Sequence, residues 1–85
     1  MRINSFIPGE KEIQEEEEKL RGLRAIILLA TTVIHQGTLP LEELERFLES
    51  IRNAALILFP DKGEVYDLIY RPRFKRLISE VYRLS

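Results

Sequence analysis

Four breaks made of glycine and proline divide this chain into stretches of helical length. They are "IPG" (7–9), "HQGTLP" (35–40), "FPDKG" (59–63) and the "RP" step (71–72). Between them apolar residues recur every three or four positions, and no run alternates with period two for long enough to make a convincing strand. The pattern therefore predicts an all-α antiparallel bundle of three to four helices, at about 10–36, 40–58, 62–70 and 72–84. The 85 residues fit one domain, 1–85, with 1–9 as an irregular N-terminal arm.

The first predicted helix begins with a run of glutamates that fits a helix better than a tail. Two acid–base pairs at i,i+4 spacing support this, namely Glu15–Lys19 and Glu17–Arg21. Gly37, just past the last apolar position, is typical of a helix end, and Gly22 predicts a kink or a close contact in the interior. Its predicted core positions are Ile13, Leu20, Leu23, Ile27, Ala30 and Ile34.

Residues 40–58 have the clearest amphipathic pattern. Pro40 near the start, followed by two glutamates, is typical of a helix N-terminus, and Pro60 stops the helix because the residue before a proline avoids the α region. The apolar stripe comprises Leu41, Leu44, Leu48, Ile51, Ala55 and Leu58, widened by Phe47 and Ala54.

The last quarter of the chain leaves one alternative open. Asp61, with Glu64 three residues on, predicts an N-cap for a short third helix. Pro72 then either begins a fourth helix at its first turn or kinks one long helix. The predicted core faces are Val65, Leu68 and Ile69 for the third segment, and Phe74, Leu77, Ile78, Val81 and Leu84 for the fourth.

Composition excludes several classes of protein. Cysteine is absent, so no disulfide, thiolate nucleophile or cysteine metal site is available, and a small domain without disulfides is more typical of the cytoplasm. The longest apolar stretch, residues 25–34, is about half the length that a bilayer requires, which predicts a buried core segment and no membrane partner. No apolar stretch long enough for a signal peptide precedes the first glutamates.

No arrangement of residues predicts catalysis, a metal or a cofactor. His35 is the single histidine, and no carboxylate or nucleophile stands near it in sequence, so it fits a helix C-terminal cation. Consecutive glutamates spread around a helix and do not converge on a cation. No phosphate loop, dinucleotide fingerprint or zinc motif is present. The sequence therefore predicts a protein that is not an enzyme.

The basic, aromatic C-terminal segment is the sharpest candidate interaction surface. Its members are Tyr66, Tyr70, Arg71, Arg73, Arg76, Tyr82 and Arg83. Three interpretations stay open: a packed helix whose charges are solvated or paired internally, a protein interface, and, less favoured, a nucleic-acid surface. Glu80 interrupts the arginine stripe, which disfavours phosphate binding. The favoured interpretation is the packed helix.

A candidate acidic counter-surface is formed by Glu15, Glu16, Glu17 and Glu18. At about 1.5 Å per residue, the first helix is about 40 Å long and the second about 28 Å, so the first overshoots its neighbour. The end of the second helix should fall beside residues 16–20. We therefore expect the glutamates to face the segment from Arg71 to Arg76, within one chain or across a dimer.

Two segments are apolar on every side, "AIILLA" (25–30) and "AALILF" (54–59). A helix of this kind needs cover on more than one side, and an uncovered remainder is typical of an interface. The sequence thus predicts a non-enzymatic protein–protein interaction or assembly module that forms a homodimer. The alternative is a nucleic-acid-associated protein that uses its C-terminal helix.

Overall fold

The structure, a computed structural model, describes the backbone of residues 10–83 and the side chains of residues 13–83. This part of the chain contains three helices and no strand: α1 (Glu10–Gln36), α2 (Leu41–Leu58) and α3 (Gly63–Tyr82). α1 packs against both α2 and α3. The all-α prediction is confirmed with a helix count of three. The predicted arm, residues 1–9, lies outside the described residues, as does position 84 of the predicted last helix.

The first turn between helices forms as its glycine predicts. Gly37 adopts the left-handed conformation, with φ 62°, and its N–H donates to the carbonyl of Ile34 at 3.0 Å. A side chain at this φ would be strained, which explains why glycine ends α1. Pro40 occupies the N-cap position of α2, and its carbonyl accepts the N–H of Leu44 at 2.9 Å.

α3 is one continuous helix, so the predicted separate segments 62–70 and 72–84 are corrected to a single element. Pro72 lies inside it. A proline there leaves the carbonyl of the residue four positions earlier without its helical partner. That residue is Leu68, and both Leu68 and Pro72 are exposed, so water can reach this carbonyl. The predicted cap is also wrong: Lys62, not Asp61, is the N-cap residue, and no side chain caps the helix.

The core lies where all three helices run side by side. Its buried residues are Ala30, Ile34, Leu44, Ile51, Ala55, Tyr66 and Phe74. All but Tyr66 stand at predicted core positions. The centre of the bundle is therefore built from the amphipathic faces that the sequence indicates.

The predicted core face of residues 62–70 is wrong. Val65, Leu68 and Ile69 are 46%, 77% and 48% exposed, whereas Tyr66 is only 6% exposed. The cause is the continuity of α3. Because Pro72 does not interrupt the helix, the inward face that contains Phe74 extends back at four-residue steps to Tyr70 and Tyr66.

α1 extends beyond the end of α2, as predicted, and this leaves two predicted core residues of α1 exposed. A Cβ atom on Gly22 would lie 3.2 Å from Cδ1 of Leu58, so the last residue of α2 sits against Gly22. Of the two possibilities predicted for Gly22, a kink or a close contact, the structure has the close contact. The end of α2 lies about one helical turn closer to the C-terminus of α1 than the predicted level of residues 16–20. N-terminal to this point α1 has no α2 neighbour, and Ile13 and Leu20 are both exposed.

Candidate interaction surface

The predicted basic, aromatic surface is divided by the packing of α3. Tyr66 is buried in the core, and the Tyr82 hydroxyl donates to the carbonyl of Leu39 at 2.8 Å. These two tyrosines therefore hold the fold together. Tyr70 is half-buried, and the arginines at 71, 73, 76 and 83 are exposed.

A charged cluster that the sequence did not predict joins α2 to α3. Arg52 donates to both carboxylate oxygens of Asp67, Nε to Oδ1 at 2.8 Å and Nη2 to Oδ2 at 3.1 Å. Arg71 adds a third bond, from Nε to Oδ1 at 3.0 Å. These hydrogen bonds from Arg52 and Arg71 lower the pKa of Asp67 from 3.8 to about 2.

Part of this cluster was visible in the sequence. Asp67 and Arg71 are spaced i,i+4 on one helix, which is a favourable pair. Arg52 belongs to another helix and could be assigned only to the polar side of α2. Arg71 therefore pairs with an acid of the same chain. The packed-helix interpretation expects such internal pairing, and this arginine agrees with it.

Three aromatic rings line the inward face of α3. Tyr66 and Tyr70 have ring centroids 5.2 Å apart, and Tyr70 and Phe74 are 6.2 Å apart and stacked. Burial raises the pKa of the Tyr66 hydroxyl. The guanidinium of Arg73 lies over the Tyr70 ring, 5.7 Å from its centroid, an arrangement typical of a cation–π interaction.

The four glutamates at 15–18 are exposed, and within residues 13–83 none of them forms an ion pair with the segment from Arg71 to Arg76. The direction of α3 explains this. α3 runs parallel to α1, since Gly37 at the end of α1 approaches Val81 near the end of α3. Arg73 is then roughly level with residue 29, about 18 Å along the axis from Glu17. The predicted pairing does not form inside one chain, and pairing across a dimer stays a prediction.

An apolar hollow of about 240 Å³ opens where α1 passes the turn between α2 and α3. It is lined by Leu20, Leu23, Ala55, Leu56, Phe59, Lys62, Val65, Tyr66, Ile69 and Tyr70. Lys62 is the single charged residue in this lining. The rim residues Leu20, Val65 and Ile69 are each more than 40% exposed. We call this part of the bundle the open end, and the opposite part, around Gly37 and Val81, the closed end.

The two segments that are apolar on every side are only partly covered. Leu28 and Leu29 of α1 are 67% and 51% exposed, and Ile57 of α2 is 79% exposed. Their neighbours Ala30 and Ala55 are buried. Each segment thus turns one side to the core and leaves large apolar side chains on the surface.

The remaining candidate residues do not assemble into a reactive centre in the described part of the chain. His35 is exposed in the last turn of α1. No three potential metal ligands among residues 13–83 cluster as a cation site would. None of the described helices has the length and apolarity to cross a membrane.

The hollow with its apolar rim, flanked by exposed acids on α1 and exposed arginines on α3, is therefore the candidate surface. No protein-family model, curated protein or solved structure matches this chain.

Proposed function

We propose that this protein is a non-enzymatic, helical protein–protein interaction module that works by associating with itself as a homodimer. Its cysteine-free composition supports a place in the cytoplasm. The single observation that carries the proposal is the amount of large apolar side chain left on the surface of so small a domain.

Nine large apolar residues among those described are exposed: Ile13, Leu20, Leu28, Leu29, Leu41, Ile57, Val65, Leu68 and Ile69. Single exposed leucines need no explanation, but grouped ones are typical of interaction sites. Three of the nine, Leu20, Val65 and Ile69, border one hollow. Covering them with a second chain would remove apolar surface from water, which is the main driving force of association.

Size supports the same proposal. A domain of 85 residues removes only a modest fraction of its unfolded surface from water, so its stability as an isolated monomer is marginal. Association with a second folded chain stabilises the native state by mass action. A dimer thus supplies burial that one chain lacks.

The alternative, a nucleic-acid-associated protein, has weaker support. Base stacking needs exposed aromatic rings. Of the aromatic residues in α3, Phe74 and Tyr66 are buried, and the Tyr82 hydroxyl is bonded to Leu39. Tyr70 remains, and Arg73 already lies over it.

Sedimentation equilibrium tests the proposal directly. We expect a mass of about twice 10.0 kDa at tens of micromolar protein, and a dissociation that follows dilution. A mass of one chain throughout that range would refute self-association. The alternative predicts binding to a DNA or RNA oligonucleotide that weakens steeply with salt, because phosphate contacts release counterions.

A further inference from the structure

The hollow at the open end lies between an acidic surface on α1 and a basic surface on α3. We propose that its occupant is a second copy of this chain, related by a two-fold axis through the hollow. The acidic end of α1 in each copy then lies against the basic part of α3 in the other. This inference rests on the self-association proposed above and specifies the surface and orientation.

The acidic surface shares one face of α1 with the rim of the hollow. Leu20 lines the hollow, and Glu16 and Glu17 precede it by four and three residues, so all three lie on the same side of the helix. Ile13 precedes Leu20 by seven residues and extends that face. All four side chains are exposed. This face has no α2 neighbour, because α2 ends at the level of Gly22.

The basic surface shares one face of α3 with the opposite rim. Ile69 lines the hollow, and Arg73 and Arg76 follow it by four and seven residues on the same side. Both arginines are exposed, and neither forms an ion pair within residues 13–83. The contact of Arg73 with the Tyr70 ring keeps its guanidinium next to the hollow.

The two surfaces lie on opposite sides of the hollow along the bundle axis. From the hollow, the glutamates lie toward the N-terminus of α1 and the arginines lie toward the C-terminus of α3. Because α1 and α3 are parallel, these are opposite directions along the bundle axis. The displacements along the axis have opposite directions and comparable size, about 4.5–6 Å from Leu20 to the glutamates and about 6–10.5 Å from Ile69 to the arginines. A rotation of 180° about an axis through the hollow exchanges the two sides.

Such a surface is self-complementary. In a two-fold dimer, the acidic surface of each copy contacts the basic surface of the other, which gives two equivalent charged contacts. The apolar rim of one copy lies on the same rim of the other, as an isologous interface requires. Burial of the rim drives this association, while the charges select the orientation. A polyanion is a poorer occupant, because Glu16 and Glu17 on the same face would repel it.

Two charge-reversed variants test the geometry. One carries Glu16→Lys with Glu17→Lys, and the other carries Arg73→Glu with Arg76→Glu. Alone, each variant would place like charges opposite each other at both contacts, and we expect its self-association to weaken about tenfold or more. In an equimolar mixture, the heterodimer has opposite charges at both contacts. We therefore expect the mixture to associate nearly as tightly as the wild type.

A matched control separates this geometry from a general effect of charge. Glu15→Lys with Glu18→Lys gives the same net charge as the first variant but alters the side of α1 away from Leu20. Lys75→Glu likewise alters the side of α3 away from Arg73. Both control variants should associate like the wild type. Circular dichroism checks that every variant keeps its helices.

The outcomes are distinct. Recovery of association on mixing, with unaffected controls, supports the inference. The inference would be overturned if each charge-reversed variant alone self-associated like the wild type, or if their mixture stayed monomeric. Self-association of the wild type would then use another surface. A wild-type protein that is monomeric throughout would overturn both the inference and the proposed function.

Discussion

The two ends of this bundle contain similar residues but reach different degrees of packing. At the closed end, Ile34 is fully buried, Gly37 approaches Val81, and Tyr82 is bonded to Leu39. At the open end, Leu20 is exposed beside an apolar hollow. Both Ile34 and Leu20 stand on the predicted apolar stripe of the same helix.

The difference follows from helix length. α1 has 27 residues, whereas α2 has 18 and α3 has 20, so α1 extends beyond both partners at one end only. An apolar stripe is buried where another helix lies beside it and stays exposed where none does. Along the apolar stripe of α1, overlap with a neighbouring helix therefore decides which positions are buried.

The largest effect should come from the core between the two ends. Phe74 is 4% exposed, and Phe74→Ala leaves a cavity among three helices, which should cost about 3–5 kcal/mol in the free energy of unfolding. Denaturant unfolding at fixed protein concentration measures it. A loss comparable to that of a surface substitution would mean that the ring is not packed.

A smaller effect should come from the turn at the closed end. Gly37 has φ 62°, and a Cβ there would lie 3.1 Å from Cγ1 of Val81. Gly37→Ala should cost about 1–2 kcal/mol, since L residues are disfavoured in the left-handed region. Gly37→Asn is the matched control. Asparagine adopts the left-handed conformation more readily than alanine, so Gly37→Asn should lower the free energy of unfolding by less than Gly37→Ala. Equal losses for the two variants would assign the effect to the Val81 contact alone.

Beside the open end, the ion-paired cluster around Asp67 should make stability depend on pH. Its pKa is lowered from 3.8 to about 2 in the folded protein, so its stabilising contribution is present above pH 3.8 and is lost as pH falls through about 2. Asp67→Asn removes this contribution. The difference in unfolding free energy between wild type and variant should therefore shrink as pH falls from about 4 to 2. A constant difference over that range would contradict the ion pairs with Arg52 and Arg71.

The smallest effect is expected at the open end of the isolated chain. Leu20 is 41% exposed, so Leu20→Ala at a protein concentration that keeps the chain monomeric should cost less than about 1 kcal/mol. The same change should clearly weaken the proposed dimerisation. If Leu20→Ala destabilised the monomer as much as Phe74→Ala does, Leu20 would be packed like a core residue, and the two ends would not differ in packing.

Local patterns were sufficient to predict α1 and α2. The bounds of α1, the end of α2 before Pro60 and the left-handed turn at Gly37 all follow from periodicity and from the backbone limits of glycine and proline. The predicted core positions of α2 are buried or half-buried, except for the exposed Leu41, and those from Phe74 to Val81 in α3 are likewise buried or half-buried. The inward face of an amphipathic helix is a property of the sequence.

The candidate site was predicted less well because it depends on relations between helices. The sequence indicated exposed glutamates and arginines, but not that α3 would continue unbroken along α1 and carry its arginines away from the glutamates. It also gave no signal that Arg52 would reach Asp67, since the two residues are distant in sequence and meet only when α2 and α3 are placed.

The sequence by itself determined the bounds of α1, the end of α2 and which face of α2 is apolar, because these depend on interactions within a few residues. Only the tertiary structure decided that α3 passes unbroken through Pro72, and that Tyr66 rather than Val65 or Ile69 faces the core. The physical reason is that the orientation of a long helix is set by its best-packed part. Phe74 belongs to the core, Leu77, Ile78 and Val81 pack against that core, and an unbroken helix extends the same face back to Tyr70 and Tyr66.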